Sequence, residues 1–262
     1  MTSPSSRSIA RFVASLARRD LLGQGEGSLL GLGWTILQPL LFFVLVWGVF
    51  TYGLRVTGVG GESFVIWFMV GYVPWVYFAS CLTEMTGVIR GFAYLLPHQR
   101  IDACWLPLTK ILSHAAIHGV YLAAVIGFAI AQGETLAMSA FGLIAYFIVM
   151  TLGVLGLGWI VASVSVFSKD LSNLTLIVTQ FGFWLTPIFW NIEMLPERLQ
   201  TLASLNPMAH IVAGYRRSIF ATEYSSMAQV TDAVLLALTL VVVLLGYRVF
   251  KRLQVHFLEV LS

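Results

Sequence analysis

Long apolar runs dominate this chain and leave few choices of fold. Trp34 to Leu54, Phe64 to Thr83, Ile111 to Ala131 and Ala140 to Val166 each reach the roughly 20 residues that a helix needs to cross a bilayer. A fifth run, Leu174 to Trp190, is shorter, and a sixth runs from Ala233 to Phe250. With 58% hydrophobic and 10% charged residues among 262, the chain has more apolar surface than a soluble core can bury. Lipid is its solvent, so the backbone must satisfy its own hydrogen bonds. The expected fold is an all-α integral membrane protein of six transmembrane helices, one transmembrane domain over 1–262, with both ends on the same side.

The stretch from Phe181 to Arg217 starts like a span and does not finish as one. Pro187, Pro196 and Pro207, with a polar cluster at Asn191, Glu193, Glu197 and Arg198, prevent a single straight helix. Short helical pieces at membrane depth survive where they pack in protein or line an aqueous cavity, which marks a candidate gate. An outer loop with an interfacial helix fits the same pattern.

Residues 7–22 place Ile9, Phe12, Val13 and Leu16 on one helical face and Arg7, Arg11, Ser15 and Arg18 on the other. Such a helix lies in the membrane surface against lipid headgroups. The following GQGEGS turn lets the chain swing into the bilayer. No short apolar core with a small-residue cleavage site occurs at the N-terminus, so the first span is expected to be retained. With the N-terminus inside, Arg7, Arg11, Arg18, Arg19, Arg90, Arg100, Lys110, Lys169, Arg248, Lys251 and Arg252 all become cytoplasmic. Arg55, Arg198, Arg216 and Arg217 remain outside or re-entrant, and this bias predicts cytoplasmic N- and C-termini. The pI near 9.0 reflects these flanking arginines and not a nucleic-acid surface. The connection from Glu84 to Lys110 is the longest cytoplasmic loop expected. Its amphipathic middle, Leu95 to Leu106, suits a short helix facing a partner.

Several chemistries lack their residues. Each of the three lysines is followed by Ile111, Asp170 or Arg252, so no GxxxxGK[ST] phosphate loop exists and any ATP is used elsewhere. His114 and His118 stand one turn apart, but the glutamate of the zinc-protease pattern is missing; a packing or pore-facing pair is the better reading. Cys81 and Cys104 have no ligand spacing and read as free thiols. A GxSxG elbow is absent, and the spans hold almost no ionisable residue of the kind that ion-coupled carriers use. What the spans do carry is aromatic. Most such residues form interfacial belts; some, among Trp47, Tyr72, Trp75, Phe78 and Trp184, are candidates for a path in which sugar rings slide over flat faces. Gly142, Gly153, Gly156 and Gly158 thin the fourth span for close packing.

Four segments together resemble the membrane subunits of ABC exporters for polysaccharides, the group that moves O-antigen, capsule and teichoic-acid chains. RRDLLGQGEGSLLGLGWTILQPLL is similar to that family's first span, through Arg19, Asp20, Ser28, Leu30, Gly31, Trp34 and Pro39. VGYVPWVYF matches its Gly-x-x-Pro-Trp segment at Gly71, Pro74, Trp75 and Phe78. VFSKDLSN matches Phe-x-Arg-Asp at Phe167 and Asp170, with Lys169 for the arginine. TPIFW, MLP, LNP and YRRSIF follow the family's order of proline motifs.

The resemblance implies the type 2 ABC exporter transmembrane fold. It would form a homodimer in the bacterial inner membrane, each subunit carrying the interfacial helix 7–22, a coupling loop 84–110 and re-entrant gate helices within 187–222. It also implies two copies of a separate ATPase that hold ATP and Mg, so no cofactor is expected in this chain. Gate residues would be Thr186, Pro187, Trp190, Pro196, Asn206 and Pro207. Arg18, Arg19, Arg90 and Arg100 would meet the diphosphate head of a lipid-linked polysaccharide, and Pro97, Arg100, Asp102, Lys169 and Asp170 would touch the ATPase. Export of a small amphiphile such as a drug or lipid remains open, as does a membrane-embedded enzyme or ion-coupled carrier.

Overall fold

The apolar runs are helical in the computed structural model, which describes residues 6–23, 30–31, 33–55, 63–95, 102–136, 138–220 and 228–261; no strand occurs among them. The helices are α1 (Ser6–Gly23), α2 (Gly33–Gly48, extended by a π-turn at Val49–Gly53), α3 (Phe64–Gly91), α4 (Pro107–Ala131) and α5 (Ala140–Ser165). Then come α6 (Asp170–Leu185), α7 (Glu197–Ala203), α8 (Pro207–Phe220), α9 (Ala228–Gln254) and α10 (Phe257–Leu261).

Five helical segments among the described residues are long and apolar enough to cross a membrane: Gly33–Gly53, Phe64–Gly91, Ala103–Ala131, Ala140–Ser165 and Asp232–Gln254. The fifth apolar run, expected through Trp190, falls short. Its helix α6 holds 16 residues and spans about 24 Å, against a hydrocarbon core of about 30 Å. The chain leaves the helix at Thr186 because Pro187 disfavours helical torsions in the residue before it.

Two loop boundaries also differ from expectation. Glu84 to Gly91 belongs to α3, and Pro107 to Lys110 belongs to α4, so the predicted 84–110 connection is shorter at both ends. The reason is electrostatic: Lys110 sits 3.0 Å from Glu84, so neither charge needs to end its helix in water. Of the predicted Leu95–Leu106 helix, the described parts are single 3-10 turns at Ala93–Leu95 and Ala103–Trp105; residues 96–101 lie outside the described residues.

Helix α3 is the central mast, with 72% of its spanning window buried, whereas only 11% of the α2 window is. Around α3 pack α4, α5, α6 and α8, while α9 lies along α5. A Cβ added at Gly246 would collide with the Gly156 carbonyl, and one at Gly156 would sit 2.8 Å from the Val242 backbone. Glycine thus sets the α5–α9 distance at backbone contact. Gly158 opposes Met85 of α3, while Gly142 opposes Ser218 of α8.

Helix α1 turns Val13, Leu16 and Ala17 onto α4 and leaves Arg11, Arg18 and Arg19 exposed, as its amphipathic pattern predicts. The Ser113 hydroxyl donates to the Ala17 carbonyl at 3.0 Å, pinning α1 to the body.

Candidate functional site

A groove of about 790 Å³ opens between α2 and α6, with α3 and α4 as its floor. Trp34, Tyr72, Trp75, Phe183 and Trp184 supply aromatic faces, and Gln38, Thr179 and Gln180 supply polar edges. Gln38 of α2 and Gln180 of α6 are both exposed. An amide left without partners in hydrocarbon costs several kcal/mol, roughly 4–8 by transfer to cyclohexane. These side chains therefore call for a polar neighbour.

Three of the five predicted path aromatics, Tyr72, Trp75 and Trp184, line this groove; Trp47 and Phe78 do not. Trp47 packs edge-on to Phe128 and Tyr52. Phe78 faces a small apolar space with Met150, Met208 and Leu235. Side-chain direction around a helix decided this, since Phe78 is three residues from Trp75 yet points toward α5 and α8. From the groove a ladder of rings leads on: Tyr72 stacks on Phe68 at 5.5 Å, Phe68 on Phe189 at 4.4 Å, and Phe189 on Trp184 at 5.6 Å.

The predicted gate residues lie in the elbow beyond α6, where Thr186 and Asn206 are joined by a hydrogen bond. Thr186 is fully buried, and its hydroxyl donates to the Gly182 carbonyl at 2.8 Å. Asn206 donates to the Thr186 hydroxyl at 2.9 Å and accepts the Met208 amide at 3.0 Å. One side chain thus caps α8, whose first residue is Pro207, and ties it to the end of α6. The Trp190 indole folds back to donate to the Trp184 carbonyl at 3.0 Å. Pro196 precedes α7, and its carbonyl accepts from the Leu199 amide at 2.8 Å.

Arg216, which the sequence placed only outside or re-entrant, is the centre of this elbow. It is 4% exposed. Its guanidinium donates to the carbonyls of Pro187 at 2.8 Å, Ile188 at 3.0 Å and Trp67 at 3.2 Å, and lies over the Trp67 ring 3.3 Å from its centroid. A Cβ at Gly71 would come within 2.6 Å of the guanidinium, so that glycine is what lets the arginine reach α3. The signal was present as an arginine inside an amphipathic stretch, paired with a glycine far away in sequence. Nothing local links the two.

At the opposite end of the bundle, Asp20 of α1 and Lys110 of α4 are 2.5 Å apart, Lys110 and Glu84 of α3 3.0 Å, and Glu84 and His114 3.2 Å. Ser113 adds a bond to Asp20 at 3.1 Å. This cluster knits three helices together and walls a second cavity of about 590 Å³, which Arg19, Phe92 and Tyr94 also line. Arg18 is exposed but does not line it. Arg90 donates to the Val166 carbonyl at the end of α5 at 3.1 Å. Arg100 and Pro97 lie outside the described residues.

Asp102 pairs with Lys251 of α9 and accepts the Cys104 amide at 3.1 Å. Burial raises the Asp102 pKa, but the Lys251 and Cys104 hydrogen bonds and the Lys251 charge together outweigh it and hold the carboxyl below its usual range. Lys169 and Asp170 are exposed at the start of α6. His114 and His118 are both buried and serve different partners, His118 meeting the Tyr215 hydroxyl at 3.0 Å. Cys81 and Cys104 are free and buried.

The sequence profile described as ABC-2 type transporter matches residues 12–220, from α1 to the last residue of α8. The chain belongs to the ABC-2 type transporter membrane family. It is a multi-pass membrane subunit of an ABC transporter, which implies an ATPase partner. Among proteins similar to this ABC-2 subunit is an O-antigen export system permease protein, RfbA, of Klebsiella pneumoniae. It is 24% identical over 251 residues, covering 94% of this chain and 93% of the relative. The RfbA protein of Myxococcus xanthus is 25% identical over 206 residues, 77% of each chain. A capsule polysaccharide export inner-membrane protein, CtrC, of Neisseria meningitidis is 23% identical over 248 residues, 92% of this chain and 91% of the relative.

Proposed function

We propose that this subunit is the permease of an ATP-driven exporter that carries a lipid-linked O-antigen or capsular polysaccharide across the bacterial inner membrane. The observation that carries the reading is the α2–α6 groove, where Gln38 and Gln180 stand exposed among Trp34, Trp75 and Trp184. Flat apolar faces with polar edges suit a polyhydroxylated ring that must slide and not stick. The full-length likeness to O-antigen and capsule export proteins supports the same substrate class.

In this reading six helices cross the membrane, with α6 as the short fifth span, α1 on the cytoplasmic surface and both termini cytoplasmic. Two copies face each other across α2 and α6, so that two grooves close into one conduit that a single six-helix bundle is too small to enclose. Each copy docks one separate ATPase through the 92–106 connection and the exposed Lys169 and Asp170. Arg19, beside the 590 Å³ cavity, and Arg18 meet the diphosphate head of the substrate at the inner leaflet. The elbow from Thr186 to Pro207 closes the outer end.

Deleting this gene from its native host and restoring it on a plasmid tests the reading. Surface glycan should disappear, with lipid-linked chains accumulating inside, and return on restoration. Undiminished surface glycan after deletion overturns it. ATP-dependent dye export by the purified complex, with surface glycan unaffected, would assign the small-amphiphile role instead.

A further inference from the structure

We infer that Arg216 is the positioning residue that latches the elbow shut, and that its three carbonyl bonds make opening of the outer end conditional on water entering the path. The inference rests on the reading of the elbow as a gate.

The argument begins with the backbone. Where α6 stops at Leu185, Pro187 and Ile188 lie beyond the helix, and their carbonyls need partners that a helix would otherwise supply. Pro187 and Ile188 are buried, so their carbonyls must be satisfied by protein or the segment cannot stay. The Arg216 guanidinium supplies both donors from α8, at 2.8 and 3.0 Å, and its third bond reaches the Trp67 carbonyl of α3. One planar group thereby ties three separate segments. Its rigid fork of donors is suited to hold two carbonyls at once, which a lysine ammonium cannot do with the same geometry.

Neighbouring contacts show which side of this tie is fixed. Arg217, the next residue of α8, bonds the Tyr146 hydroxyl of α5 and Asp232 of α9 at 3.3 Å. Gly214 and Gly142 bring α8 against Tyr146 and the α5 backbone. Helix α8 is therefore anchored to the closely packed α5–α9 pair, and Arg216 reaches from that anchor to the elbow. Moving the elbow strips the Pro187 and Ile188 carbonyls of their donors while the guanidinium stays over the Trp67 ring. Only a hydrated path then satisfies the freed carbonyls. Dry, the elbow recloses; wet, it stays open.

The test uses the complete complex with its ATPase, reconstituted in liposomes, and reads ATP-independent efflux of entrapped radiolabelled sucrose. Arg216→Met keeps the volume and removes every donor, and Arg216→Lys restores part of the donor set. Efflux at least about tenfold above the unaltered complex is expected for Arg216→Met, the fold-change of losing one or more charge-assisted bonds, with Arg216→Lys between the two. A space-filling role predicts that Met and Lys behave alike. Equal and unaltered efflux from both, at normal amounts of complex, overturns the latch. Should Arg216→Met fail to accumulate, Gly71→Ala decides: it keeps the guanidinium but crowds it. Raised efflux with Gly71→Ala supports the latch, and unaltered efflux overturns it. No glycan enters this measurement, so its failure is separate from any failure of the glycan reading, which the deletion experiment addresses.

Discussion

The α5–α9 pair and the α2–α6 pair are built in opposite ways from similar apolar sequence. Along α5 and α9, glycine meets backbone at Gly156 and Gly246 with no room for a methyl group. Between α2 and α6, large side chains hold the helices apart around a groove of about 790 Å³ that includes two exposed glutamines. Small residues remove freedom by bringing backbones together, whereas aromatic residues with polar edges leave a space that solvent must share. One pair is a closed frame and the other borders an open groove. Helix α8 bridges them, with Arg217 on the frame and Arg216 on the elbow.

Breaking the frame should cost most. Gly246→Val drives a side chain into the Gly156 carbonyl, and the expected loss lies at or above the upper end of roughly 1–3 kcal/mol. Recovery of folded protein and the thermal midpoint in detergent would fall sharply. Gly127→Ala, with open space around its Cβ position, serves as the control and should change the midpoint little.

Next comes the ion cluster that fixes α1 to α3 and α4. Lys110→Met leaves Asp20 and Glu84 without their shared cation. A fully buried pair would lose about 3–5 kcal/mol on such a change. Glu84 retains 34% of its side-chain exposure, so roughly 2 kcal/mol is expected, read as a lower unfolding midpoint.

In the groove the balance reverses. Trp184→Ala, at a residue 64% exposed, should leave the midpoint nearly unchanged yet reduce surface glycan about fivefold, corresponding to the ~1 kcal/mol of one lost ring contact. A midpoint shift as large as that of Gly246→Val would erase the distinction between frame and groove.

The smallest effect belongs to Asp102. Its folded pKa is depressed, so its tie to Lys251 contributes stability above the unfolded carboxyl pKa, and that contribution fades as pH falls through the folded value. Asp102→Asn should cost about 0.5 kcal/mol near neutral pH, because the pair is a third exposed, and nothing once the native carboxyl is protonated. Midpoints of the two proteins measured from pH 7 downward should therefore converge in acid.

Much of the fold was legible in sequence because lipid imposes a one-dimensional rule. A run of about 20 apolar residues has to be a helix, and five of the six runs begin and end within a few residues of the observed helices or inside them. The amphipathic face of α1 and the proline break after α6 were legible for the same reason, being periodic or local. Glu84 and Lys110 misled: read singly, each charge marks a span end, but together they neutralise within the helices. The direction in which Phe78 points was not legible, because aromatic content does not report how a side chain is turned around its helix.

Sequence by itself determined that this chain is a helical membrane protein with a broken segment before its last span, since burial in lipid and the torsions at proline are set residue by residue. Only the tertiary structure decided that Arg216 fastens that segment, that Gly71 makes room for it, and that α2 and α6 stand apart around exposed amides. Those facts join residues far apart in sequence: Arg216 is 29 positions from Pro187 and 149 from Trp67. Local propensity carries no information about which distant carbonyl a buried guanidinium will find, and packing alone supplies it.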